Sequence, residues 1–161
     1  QSNFNNAVGY ADLDRVPPGR ILLGTDGMSS DMLGAAQFAF LAYKGLGGGR
    51  RDAFDLVRRM LVENPSAYLS SLFGRPIGRI VEGAPADFAI FPYRAPTPLD
   101  AGNLVAHLLY GLQPAPRAAW VYAQGTPIVE DGALRGVDEG SVLEAARAKA
   151  AAVWKRTLAR S

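Results

Sequence analysis

The stretch Arg20-Ile21-Leu22-Leu23-Gly24-Thr25-Asp26-Gly27 constrains this chain more than any other. Consecutive large aliphatics closed off by a Gly-flanked turn predict a short strand covered on both faces. Strands of that kind belong to parallel sheets, whose crossovers run through helices packed on the sheet. A helix does follow by pattern. Ser29, Ser30 and Asp31 are candidate N-caps, and Met32, Ala35, Ala36, Ala39, Phe40 and Tyr43 then recur at helical spacing. Strand, tight turn and helix in that order predict an α/β protein.

The rest of the chain divides by period. Gly45 to Gly49 connects to a second helix, Arg51 to Glu63, which Asn64-Pro65 is expected to break before a short helical turn over Ala67 to Leu72. Past Gly74 the pattern shortens. Gly78 to Val81 and Asp87 to Phe91 predict two strands across a Gly83-Ala84-Pro85 turn. Ala118 to Ala123 and Thr126 to Glu130 predict a hairpin around Gln124-Gly125, with Asp131-Gly132 as the next turn. Ser141 and Glu144 have capping-box spacing, and Leu143, Ala146, Ala150, Val153, Trp154 and Leu158 continue at helical intervals.

Composition removes whole classes of function. The chain has no cysteine and one histidine, His107, so it cannot by itself build a thiolate site or a multi-histidine metal centre. That composition is compatible with a cytoplasmic location. Seventeen Lys and Arg against fifteen Asp and Glu are scattered along the chain, which argues against a nucleic-acid partner. No apolar run reaches the roughly 20 residues of a membrane-spanning helix. The start at Gln1, without Met or a signal-peptide layout, reads as an internal cut point.

Four groups of residues could carry chemistry. Asp26 stands at the carboxyl end of the apolar strand, where parallel sheets place ligands, and its carboxylate could bind a divalent metal or take a proton. The bland alternative is that it caps its own tight turn. Gly27-Met28-Ser29-Ser30-Asp31 approaches a nucleophile elbow but ends in Asp where Gly is required. A serine hydrolase would use Ser29, His107 and an acid such as Asp100 or Asp138, although a lone histidine in an apolar segment is more often a packed one. Gly45 to Arg51 mixes glycines with cations, yet follows a helix rather than a strand, which favours a connector over a phosphate cradle. Arg147, Lys149, Lys155, Arg156 and Arg160 form a solvated basic face on the last helix.

Ser2 to Gly9 and Leu23 to Leu33, with Gly78 to Phe88, Pro96 to Leu99, Asn103 to Leu112 and Gly136 to Glu139, together resemble the amidohydrolase superfamily. The nearest likeness is to aminohydrolases associated with selenium metabolism, in the cytosine-deaminase-like and chlorohydrolase-like group. The resemblance implies the C-terminal part of a TIM-type (β/α)8 barrel: its last strand and outer helices over 1–75. It implies part of a small β-sandwich over 76–136, with a helical return near 100–112, and a closing helix over 137–161. It implies hydrolysis of a carbon–nitrogen bond in a small-molecule substrate, assisted by one zinc or iron ion. Asp26 matches the family's eighth-strand carboxylate, which holds the metal and moves the proton. Asn3, Met28 and Ser29 would rim the substrate pocket. The family's histidine ligands have no counterpart here, so the chain is expected to be inactive alone. A stand-alone interaction module without catalysis is the other reading, and assembly into a homo-oligomer is compatible with both.

Overall fold

The computed structural model describes residues 10–27, 30–47, 49–112 and 114–159. Helix α1 (Met32–Gly45) starts at Asp31, whose Oδ1 accepts the Gly34 N–H at 2.9 Å. Of the candidate caps the acidic one is used, and its charge also complements the positive end of the helix dipole. One face of α1 buries Ala35, Ala36, Ala39, Phe40 and Tyr43, and Ile21 and Leu23 join the same core.

The Ile21 to Leu23 segment is extended, but it joins none of the sheet ladders among the described residues. A helix meets its backbone instead. The Leu23 N–H donates to the Met60 carbonyl at 3.3 Å. The buried Asn64 amide donates to the carbonyls of both Pro18 and Ile21 at 2.7 Å. Replacing Asn64 with alanine strands two inward carbonyls, so urea unfolding should show a loss of about 2–3 kcal/mol. Asn64→Asp, which keeps the shape but cannot donate, should cost at least as much.

That same helix corrects the expected break at Asn64-Pro65. Helix α2 (Ala53–Arg58), a π-helical turn (Arg59–Glu63) and α3 (Asn64–Phe73) run on without interruption. The Asn64 N–H reaches back five residues to the Arg59 carbonyl. Pro65 has no N–H, and in a regular α-helix its ring would press on the carbonyl four residues earlier. The wider turn accommodates it just where it stands. Arg58 pairs across the turn with Glu63, and Asp55 accepts from Arg58 and from Arg59 Nε, the latter at 2.7 Å. The Arg59 and Arg58 hydrogen bonds hold the Asp55 carboxyl below its ordinary range. Gly74, at φ +63°, ends the helix in the left-handed conformation.

The sheet is an antiparallel meander in chain order: β1 (Phe88–Ile90), β2 (Trp120–Ala123), β3 (Thr126–Glu130) and β4 (Ala133–Leu134). Ala123 faces Thr126 across Gln124-Gly125, and Glu130 faces Ala133 across Asp131-Gly132. Both loops have positive φ at both residues, the geometry whose twist matches two-residue hairpins. The strand expected at Gly78 to Val81 does not form: Ile80 is 96% exposed and lies in no ladder. Without a partner strand, a β-favouring pattern has nothing to pair with.

Between β1 and β2 the chain returns to the helices. Helix α4 (Leu104–Ala106) passes into a π-helical turn (His107–Gly111) that sends Leu109 into the core, and Gln37 Nε2 donates to the Leu109 carbonyl at 2.6 Å. Helix α5 (Glu139–Leu158) closes the chain with no side chain buried. Its cap is Asp138, not Ser141. The Asp138 carboxylate accepts the Gly140 and Ser141 N–H groups and the Ser141 hydroxyl. An ionised acceptor outcompetes a serine hydroxyl for those donors, and the same bonds hold the Asp138 carboxyl low. Among the described residues, no helix is long and apolar enough to cross a membrane.

Candidate functional site

Asp26 lies where the extended segment turns toward α1. Its backbone is left-handed at φ +54°, a conformation that aspartate tolerates better than most side chains. Oδ1 accepts the Gly27 N–H at 2.7 Å, and Thr25 Oγ1 approaches the Asp26 carbonyl at 3.3 Å. The turn-capping contact is therefore present. The carboxylate is also exposed, at the end of a segment anchored by Leu23 and Asn64. Asn3, Met28 and Ser29 lie outside the described residues. Just beyond them, Ser30 to Leu33, Phe91 and Ala115 to Arg117 line an open groove of about 470 Å³.

The residues considered for a serine hydrolase are not brought together. His107 is buried, with its Nδ1 hydrogen-bonded to the Tyr93 hydroxyl and its Nε2 to Thr97 Oγ1 at 3.2 Å. A neutral imidazole donates through one nitrogen and accepts through the other, so both sides of the ring are used. Asp100 Oδ1 accepts the N–H groups of Gly102 and Asn103, and Asp138 caps α5. His107 is a packing residue that pins the segment leaving the sheet to the helix returning from it.

Gly111 makes that corner possible. An added Cβ there would stand 2.9 Å from Tyr93 Cζ and still closer to the hydroxyl. Alanine normally favours a helix over glycine by about 1 kcal/mol. Here the clash should reverse the sign, and Gly111→Ala should lose about 1–3 kcal/mol in urea unfolding. Tyr93→Phe, which removes only the hydroxyl, should lose less.

The pattern missed a second polar cluster, at the far end of α1. Tyr43 Oη donates to Asp14 Oδ1 at 2.7 Å and accepts the Arg51 N–H at 3.1 Å. Arg51 donates to the carbonyls of Leu13 at 2.7 Å and Asp14 at 3.0 Å. This places Arg51 in a structural clasp rather than a phosphate cradle. The cluster borders a cleft of about 350 Å³ that includes Tyr10, Asp12 and Arg50. Burial, with Tyr43 adding to it, pushes the Tyr10 phenol up to about 12. Burial and the Asp14 hydrogen bond raise Tyr43 as well. Both stay neutral at ordinary pH, which suits a clasp and not a proton acceptor.

A divalent ion in a catalytic site takes about three protein ligands. No three His, Asp or Glu side chains gather among the described residues, so these residues do not by themselves fit such an ion.

No family model matches the chain, and no solved structure does. A 5-methylthioadenosine/S-adenosylhomocysteine deaminase from Haloarcula marismortui is 31% identical over 165 aligned positions. The alignment takes in 96% of this chain and 36% of that protein, so the chain spans about a third of the relative's length. The likeness to this amidohydrolase-type enzyme supports the superfamily and no finer placement.

Proposed function

We propose that this chain is the C-terminal part of a metal-dependent hydrolase of non-peptide carbon–nitrogen bonds, a deaminase of a small heterocyclic substrate. The observation that carries the reading is the 31% identity to a deaminase across 96% of the chain. In this reading residues 1–75 end a TIM-type barrel, 76–136 belong mostly to a small β-sandwich and 137–161 form the closing helix. Asp26 is the one carboxylate the chain offers to a zinc or iron ion and to the proton its reaction releases. The other donors would come from polypeptide beyond these residues, and the chain alone would be inert. Asn3, Met28 and Ser29 would border the substrate.

The test starts with the intact mass of the protein in its native source. A mass well above 17.1 kDa, with ammonia released from 5-methylthioadenosine or S-adenosylhomocysteine, is the expected result. A 17.1 kDa protein that deaminates by itself would overturn the reading.

A further inference from the structure

Helix α5 is a twenty-residue element without a buried side chain, about 30 Å long at 1.5 Å per residue. Helical spacing puts Leu143, Ala146, Ala150, Val153 and Trp154 on one stripe. Leu143, Val153 and Trp154 are 54%, 49% and 64% exposed. Charge is polarised along the helix. Asp138, Glu139 and Glu144 occupy its N-terminal part, whereas Arg147, Lys149, Lys155 and Arg156 occupy the middle and C-terminal part.

We propose that α5 pairs antiparallel with α5 of a second copy of this chain, crossing near Ala150. The charges choose both occupant and direction. Antiparallel pairing sets the acidic end of each helix against the basic end of the other and opposes the two dipoles. A parallel pair would crowd both basic ends together. Glu144 and Lys155 lie on the same flank of the stripe, three turns apart, so a two-fold antiparallel pair brings Glu144 beside Lys155 of the partner subunit. Alanine at 146 and 150 leaves room for the axes to approach within about 8–10 Å, with Leu143 and Trp154 filling the ends.

The chain's lack of cysteine makes the test direct. Sedimentation of the intact chain should show a reversible dimer at micromolar concentration, abolished by Trp154→Glu with helicity unchanged. Under mild oxidation Ala150→Cys should cross-link to itself. Leu143→Cys should not, because its two copies lie about 20 Å apart in the antiparallel pair, beyond the roughly 7 Å reach of a disulfide. The Leu143→Cys/Thr157→Cys double variant should cross-link. Glu144→Lys should weaken the dimer about tenfold, and Lys155→Glu in the same chain should restore it. A monomer at all concentrations overturns the proposal and gives the stripe to another surface. Self-cross-linking of Leu143→Cys, or failure of the charge swap to rescue, overturns the antiparallel arrangement.

Discussion

Replacing Phe40 with alanine is expected to lower the unfolding free energy by about 3–5 kcal/mol. Phe40 is 2% exposed and joins three segments that are distant in sequence. Its ring centroid lies 4.8 Å from that of Phe54 on α2 and 5.8 Å, edge-on, from Tyr110 in the return segment. Truncation empties the space between α1, α2 and the return helix at once, and a close-packed interior closes such a void only partly. In a chain of this size the loss corresponds to a melting point lower by roughly 6–20 °C. Leu41 on the same helix is 55% exposed, so Leu41→Ala should stay within about 0.5 kcal/mol and serves as the control. A fall of less than about 1 kcal/mol for Phe40→Ala would mean that the aromatic cluster does not bind the helices together.

Asp26→Asn is expected to separate the two roles open to that residue. Asparagine accepts the left-handed backbone, and its amide oxygen can take the Gly27 N–H that Asp26 takes at 2.7 Å. The turn should survive, with stability changed by no more than about 0.5 kcal/mol. What disappears is the negative charge and the capacity to accept a proton, whose loss in a general base typically costs about 10²–10⁴ in rate. The measurement is ammonia release by the complete enzyme, wild type against variant. Unchanged activity would remove Asp26 from the catalytic assignment. A large loss of stability would make it a turn residue above all.

Features decided by near neighbours were legible in the sequence. The two-residue hairpin at Gln124-Gly125, the turn at Asp131-Gly132 and the buried face of α1 follow from local backbone preference and helical period. Features decided across distance were not. The Tyr43–Asp14–Arg51 clasp joins residues 29 and 37 positions apart, and no spacing rule encodes it. The Gly78 to Val81 strand failed for want of a partner. Pro65 did not stop its helix, because one widened turn absorbed the constraint that usually breaks one. At the candidate site, the position of Asp26 in a Gly-flanked turn was readable, whereas its Gly27 contact and the nearby groove needed coordinates.

The meander also has a built-in order of assembly. β2, β3 and β4 are joined by two-residue loops, so their pairing asks for little chain entropy. β1 is separated from β2 by the whole return segment, and it can dock only after Asn103 to Leu112 has been looped out. Closing that loop and seating Leu109 among the helices are thus one event. The hairpins can form on their own schedule, but β1 is the point at which the sheet learns whether the helical half has folded.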